Sequence, residues 1–319
     1  MEAAVILVTG ATGFVGRRLI RRLGELPGLE VRVLLRPGSD LERLPHGVAV
    51  HAMIGDLNTP DSLLAAMDGV HTVFHLIGTD TRGRHARLDE VDVAGTRALL
   101  EAALAARIGR IVTISRLGAD RNSAYPILRA KGEIEEAVKS SGLAYTIFRT
   151  GVLFGEGDRF SSHLAMLIKT FPVFFVPGDG EQILQPLWVE DLVSALTLSL
   201  QNLDLIDQTI EIAGPELLTF RRIAMRIMYA LNVRRAIMGV PFQIYQAGAW
   251  YFDGLFARWP ITSLWIQMLA ARQTAELGTI ERLFGFRPAA FDIGLIDHYL
   301  PGRRYRLDFM RYILSGRWT

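Results

Sequence analysis

Nothing in the chain restricts its fold more than residues 8–19, "VTGATGFVGRRL". Gly10-x-x-Gly13-x-x-Gly16 stands between an apolar run, "AAVILV", and a stretch with helical periodicity. The first glycine of such a turn allows a bend that a side chain forbids. The second lets the main chain approach a pyrophosphate, and the third lets the helix lie close on the strand. The unpaired N–H groups that open the helix then face the phosphates. Thr12, Phe14 and Val15 fill the turn and belong to the same surface. Strand, glycine turn and helix in one unit predict a dinucleotide site on a parallel sheet.

The remainder of the first half repeats the rhythm. "VRVLLR", "VAVHAMIGD", "TVFHLIG", "RIVTIS" and "AYTIFRTG" are strand-like runs, and "DSLLAAMDG", "AGTRALLEAALAAR" and "AKGEIEEAVKSSG" between them are helical. Continuous apolar strands separated by amphipathic helices predict an α/β, doubly wound parallel sheet of Rossmann type, with right-handed crossovers. After Gly155 the rhythm changes. The reading is a dinucleotide-binding domain over 1–158 and a smaller, mainly helical C-terminal portion over 159–319, with segments within 183–213 returning to the first domain. "PVFFVPGDG" reads as a turn-rich excursion, and no strand is expected beyond about residue 216.

Composition removes several function classes. With 319 residues, 50% of them hydrophobic, the chain can bury a large core. Without cysteine it has no disulfide framework, thiolate metal site or cysteine nucleophile. A formal charge of +2 gives no reason to expect nucleic acid. His71 and His75 are four apart, but in a strand that spacing separates them by about 13 Å, so no metal is expected. The start at "AAVILVTG", with no basic region before it, reads as cytoplasmic. The most apolar stretch, residues 240–270, is broken by Asp253, Arg258 and Pro260 and reads as a buried or interfacial helical region rather than a membrane span.

Cofactor choice rests on the end of the second strand. A site for NAD(H) usually has an acid there for the ribose hydroxyls; this chain has Arg36. A guanidinium favours a 2′-phosphate, so NADP(H) is expected over NAD(H), against the simpler reading of a solvated strand-end arginine. Asp56 and Leu57 end the third strand, where the carboxylate can accept from an adenine amino group. Gly78 ends the fourth, facing the ribose.

Seven segments, "TGATGFVG", "GDL", "VDVAGTRALLEAA", "TISRLGA", "FRTGVLFGEGD", "PLWVEDL" and "AGPELLTF", fall in the order found in the extended and atypical branches of the short-chain dehydrogenase/reductase superfamily. The chain most resembles the NmrA-like proteins and the NAD(P)H-binding accessory subunit of respiratory complex I. The resemblance implies a catalytic serine at Ser115 and a ribose-binding lysine at Lys131. It also implies a tyrosine four residues before that lysine, where Ile127 stands. Tyr125 is six residues before Lys131, about 120° away on a helix, and Pro126 suits the first helical position, so Tyr125 is expected to be non-helical. Asp92 stands where the family commonly has asparagine and Thr150 where it has proline. Glu133, Glu135 and Glu136 read as a solvated helix face, and Asp89, Glu90 and Asp92 as capping charge. What the resemblance implies is a dinucleotide-binding protein with weak or no turnover, serving a membrane-associated redox complex or its assembly. The alternative is an NADP(H)-dependent reductase or epimerase for a bulky hydrophobic substrate, using Ser115, Tyr125 and Lys131.

The C-terminal tail, residues 303–319, holds five arginines and one aspartate, or +4, while the whole chain is +2. On a helical wheel Arg304, Asp308, Arg311 and Ser315 form a polar stripe between two apolar sides, Tyr305/Phe309/Tyr312/Ile313 and Leu307/Met310/Leu314. So broad an apolar surface needs cover from its own domain, from a membrane-bound protein complex or from an anionic membrane surface. Trp318 suits the last, which would make the protein peripheral at the inner face of a membrane.

Overall fold

The computed structural model describes residues 4–79, 83, 86–256 and 258–315. Its elements begin with strand β1 (Ala4–Thr9), helix α1 (Phe14–Gly24), β2 (Leu29–Leu35), β3 (His51–Ile54), α2 (Pro60–Met67), β4 (Thr72–His75), α3 (Ala94–Ala105), β5 (Arg110–Arg116), α4 (Pro126–Lys139) and β6 (Ala144–Thr150). There follow β7 (Leu153–Phe154), α5 (Ser161–Thr170), β8 (Val173–Pro177), β9 (Ile183–Leu184) and β10 (Leu187–Trp188). Next come α6 (Val189–Leu198), β11 (Gln208–Ile212), β12 (Leu218–Thr219), α7 (Phe220–Ala230) and β13 (Ala236–Val240). The chain ends with α8 (Phe242–Leu255), α9 (Ser263–Leu269), α10 (Thr279–Phe284), α11 (Ile293–Asp297) and α12 (Tyr305–Ser315).

The described chain divides into two compact units. The first comprises residues 1–79, 87–149 and 190–211, the second 80–86, 150–189 and 212–319. The first unit holds a seven-stranded sheet of order β11-β6-β5-β4-β1-β2-β3, and its pairs β1–β2, β1–β4, β2–β3 and β4–β5 are parallel. The doubly wound expectation holds. Strand order reverses between β1 and β4, which is where such sheets open a crevice for ligand. The four C-terminal residues of β1 are all buried, as a central strand covered on both faces requires. Helix α1 buries Gly16, Leu19, Ile20 and Leu23 and turns Arg21 and Arg22 to solvent. Returning residues 190–211 are clamped by Arg110 of β5, whose Nη1 donates to the Ser199 carbonyl at 2.7 Å and Nη2 to Thr146 Oγ1 at 2.5 Å.

The second unit has an aromatic core. Phe154 meets Phe291 edge-on with centroids 4.8 Å apart, and Phe160, Phe174, Phe220 and Tyr312 are buried with them. Two readings of this half need correction. "PVFFVPGDG" is not only turn, because Val173–Pro177 pairs in parallel with β13, and β12 and β13 lie beyond residue 216. These strands have two to five residues, too short for an alternation to stand out from the apolar helices around them. No helix among the described residues is long and apolar enough to cross a membrane.

Candidate functional site

The glycine turn folds as its spacing demands. Gly10 has φ +73°, and a Cβ there would lie 2.7 Å from the Leu76 carbonyl oxygen. A Cβ on Gly16 would lie 2.3 Å from the Gly10 carbonyl oxygen. The turn thus nests against both the start of α1 and the loop after β4, with no room for a side chain. Gly13 is the exposed N-cap of α1 and offers no side-chain cap, and the first helical turn holds no acid. Donors at this end therefore remain for an outside acceptor. Thr12, Phe14 and Val15 are half-buried around it. Arg18 lies 4.5 Å over the Phe14 ring, donates to the Phe14 carbonyl and pairs with Glu190 at 2.8 Å, fixing that edge of the turn.

The other candidates sit past the carboxyl ends of neighbouring strands. Arg36 follows β2, exposed; its carbonyl accepts from the Ser39 N–H, and its guanidinium makes no hydrogen bond or ion pair among the described residues. Asp56 follows β3, and its Oδ1 already accepts from the Asn58 amide at 2.9 Å and side chain at 2.8 Å. Leu57 is only 6% exposed and belongs to the core, so it has only backbone to offer a ligand. Gly78 is exposed in the loop after β4.

Ser115, Tyr125 and Lys131 sit in different surroundings. Ser115 is 1% exposed, and its Oγ donates to Glu135 Oε1 at 2.5 Å. Tyr125 is the half-buried, extended N-cap of α4, with Pro126 first in the helix, as the sequence suggests. Ile127 is buried at 2% exposure. Lys131 is 8% exposed, and its Nζ makes no hydrogen bond or ion pair among the described residues. Its charge nonetheless acts on His75.

Beneath these residues lie two polar networks. Glu135, read as solvated, is 2% exposed: Arg149 of β6 donates to it through Nε at 2.9 Å and Nη2 at 2.7 Å. These bonds hold Arg149 more firmly protonated than usual. The reading failed because helical periodicity does not reveal which residue of an acidic run meets a cation from the sheet. The clue was an arginine inside the apolar strand "AYTIFRTG". Asp92 is likewise no solvated cap. It is 1% exposed and accepts the Thr79 N–H through both oxygens, at 2.9 and 3.0 Å, so it fastens the end of the β4 loop.

His75 is the second network's centre. Thr96 Oγ1 donates to the Asp92 carbonyl, so it accepts from His75 Nε2 at 3.0 Å, and Thr9 Oγ1 donates to Nδ1 at 2.8 Å. The ring is neutral, its pKa lowered to about 3 by burial and, secondarily, by Lys131. It ties β1, β4 and α3 together under the crevice. Among the described residues no three side chains converge that could hold a metal ion.

Comparison with known proteins bears on what this crevice takes. A family model described as NAD(P)H-binding matches residues 10–164. The chain is 30% identical to the Arabidopsis thaliana mitochondrial NADH dehydrogenase [ubiquinone] 1 alpha subcomplex subunit 9, aligned over 99% of the chain and 79% of that protein. Against the photosystem II assembly factor Ycf39 of Cyanophora paradoxa it is 37% identical, over 45% of the chain and 44% of that protein. Its fold matches the Escherichia coli NADPH-dependent quinone oxidoreductase QOR2, solved with NADPH, with TM-score 0.75 and 19% identity over 92% of this chain and 99% of that one.

Proposed function

The chain belongs to the NAD(P)H-binding family, and on that premise we propose that it is an NADP(H)-binding member with weak or no turnover, serving a membrane-associated redox complex or its assembly in the cytoplasm. One observation carries the reading. Helix α4 presents a nearly buried, unpaired Lys131, yet one turn earlier, where a proton-donating hydroxyl would stand, it buries Ile127. The helix keeps a cation for a ribose and lacks the group that would move a proton. Two relatives support the setting, since one is a subunit of a mitochondrial NADH dehydrogenase [ubiquinone] and the other an assembly factor for photosystem II.

The residues present fit a dinucleotide. Gly10, Thr12, Gly13, Phe14, Val15 and Gly16 would receive the pyrophosphate at the uncapped N-terminus of α1. Arg36 would take the 2′-phosphate, Asp56 and the Leu57 backbone the adenine side, and Gly78 and Lys131 the nicotinamide ribose. When bound, the cofactor supplies hydride chemistry; the chain's own residues orient it.

Two experiments test this. Arg36→Asp is expected to reverse a preference for NADPH over NADH of more than about tenfold, the scale of one charge-assisted contact. Equal dissociation constants for the two cofactors in the unaltered protein would remove NADP(H) from the proposal. For turnover, Lys131→Ala should weaken NADPH binding about tenfold or more, while Tyr125→Phe leaves any residual NADPH oxidation unchanged. The reductase or epimerase alternative predicts the reverse for Tyr125→Phe, a large fall in kcat with cofactor affinity intact.

A further inference from the structure

Helix α8 carries one charge in fourteen residues, Asp253, and that residue is buried at 4% exposure. What it turns to water is Ile244 (62% exposed), Trp250 (71%), Tyr251 (59%) and Leu255 (59%). Single exposed apolar side chains need no explanation, but a helical face of them without any exposed charge marks an interface.

Helix α12 repeats the pattern with a difference. Tyr305, Phe309, Tyr312 and Ile313 are buried in its own unit, which answers part of the tail's need for cover. The opposite arc leaves Leu307 (43%), Met310 (50%) and Leu314 (68%) exposed. At about 100° per residue these three form one stripe, with Arg304 and Arg311 along one border and Arg306 along the other. All three arginines are exposed and form no ion pair among the described residues. Trp318, expected to join this surface, lies outside the described residues.

Aromatic contacts pack α8 against the inner side of α12, so the two helices are neighbours. Phe252 of α8 stacks on Trp259 at 4.5 Å, Trp259 meets Phe309 of α12 edge-on at 5.7 Å, and Phe309 meets the partly exposed Phe171 at 5.4 Å. We propose that α8 and the outer arc of α12 form a single docking face for an anionic lipid bilayer, with α8 seated in the headgroup–acyl boundary and Arg304, Arg306 and Arg311 on the lipid phosphates. Charge decides the occupant. An apolar stripe bordered on both sides by guanidinium groups matches an apolar layer beneath a sheet of negative charge. A second copy of the chain docked symmetrically would instead set three arginines against three. The proposal deepens the membrane-side part of the reading above and is independent of cofactor binding.

The test is flotation of the full chain at low salt with vesicles of phosphatidylcholine alone or mixed with phosphatidylglycerol. Binding is expected to the mixed vesicles only, with a blue shift of tryptophan emission. Reversing Arg304, Arg306 and Arg311 to glutamate together should weaken it at least about a hundredfold. Trp250→Ser with Leu255→Ser should weaken it at least about tenfold. Both variants alter exposed positions and should keep the NADPH affinity of the unaltered chain, so loss of vesicle binding is distinguishable from loss of the cofactor site. Absence of binding to anionic vesicles would overturn the proposal, as would undiminished binding in both variants. So would a lipid-free dimer that both variants dissociate, because the face would then belong to a second copy.

Discussion

Gly16→Ala should cost the protein about 1 kcal/mol of stability and at least tenfold in NADPH affinity. The substitution adds one methyl group, which would arrive 2.3 Å from the Gly10 carbonyl oxygen and 3.1 Å from the Ala11 Cα. Both neighbours are backbone, so neither can rotate aside; the turn itself must move. Overpacking of this kind costs roughly 1–3 kcal/mol and occasionally more, and the gain of about 1 kcal/mol from replacing a helical glycine by alanine offsets only part of it. Because the displaced atoms belong to the phosphate turn, affinity falls together with stability. Gly248→Ala provides the control. It makes the same change in a helix where a Cβ meets nothing within 4 Å, and it should raise stability by about 0.5–1 kcal/mol. Urea unfolding and NADPH titration of the two variants measure both effects. An affinity unchanged in Gly16→Ala would mean that the pyrophosphate does not rest on this turn.

Acidification should destabilise the fold well before its carboxylates titrate. His75 and His163 are both buried, and burial lowers each pKa from 6.5 to about 3. His163 Nδ1–H donates to the Pro260 carbonyl at 2.7 Å, and charged Arg159 and Arg258 further oppose a second proton. The unfolded chain binds a proton at each histidine below about pH 6.5, while the folded chain refuses it until about pH 3. Stability therefore falls with falling pH through that window and is unaffected above it. At about 1.4 kcal/mol per pH unit per group, the two rings together remove about 4 kcal/mol between pH 6.5 and pH 5, a large part of a typical domain's stability. Asp158 acts in the opposite sense: burial raises its pKa, so it returns some stability only once the pH nears the carboxylate range. His75→Asn and His163→Gln should each flatten the slope by about half, whatever they cost at neutral pH. A urea midpoint that does not move between pH 7 and pH 5 would show that the folded protein accepts both protons.

The parallel sheet, its six leading strands and the glycine turn were legible because each follows from local pattern: β-branched runs, amphipathic intervals and residues that tolerate a positive φ. The start of α4 was legible for the same reason, since Pro126 fixes it. The partners of buried charges were not legible. Glu135 reads like its neighbours Glu133 and Glu136, and only the sheet brings Arg149 and Ser115 to it. Asp92 looks like any acid before a helix until the loop after β4 folds back and presents the Thr79 amide. Spacing along a chain specifies which face a residue takes, but what arrives at that face depends on contacts far apart in sequence. The short strands β8 and β13 were lost in the same way, since neither is long enough to display a period.

Strand β11 sets the order in which the protein can be made. It closes the edge of the seven-stranded sheet beside β6, yet the chain leaves for the second unit at residue 150 and supplies residues 190–211 only on its return. On the ribosome the nascent sheet must therefore wait with β6 as an open edge, its hydrogen-bonding groups and apolar neighbours unclosed, while Arg110 and Thr146 lack the Ser199 and Leu205 carbonyls that later receive them. Open edges are where growing chains pair with the wrong partner, and long-range closure is slow. A fragment ending at residue 158 should aggregate, whereas one extended through residue 212 carries its own closing strand but leaves the aromatic core of the second unit unmade. A chain order that interrupts its own sheet thus exposes translation to a hazard, an unfinished edge, that two consecutive domains would not.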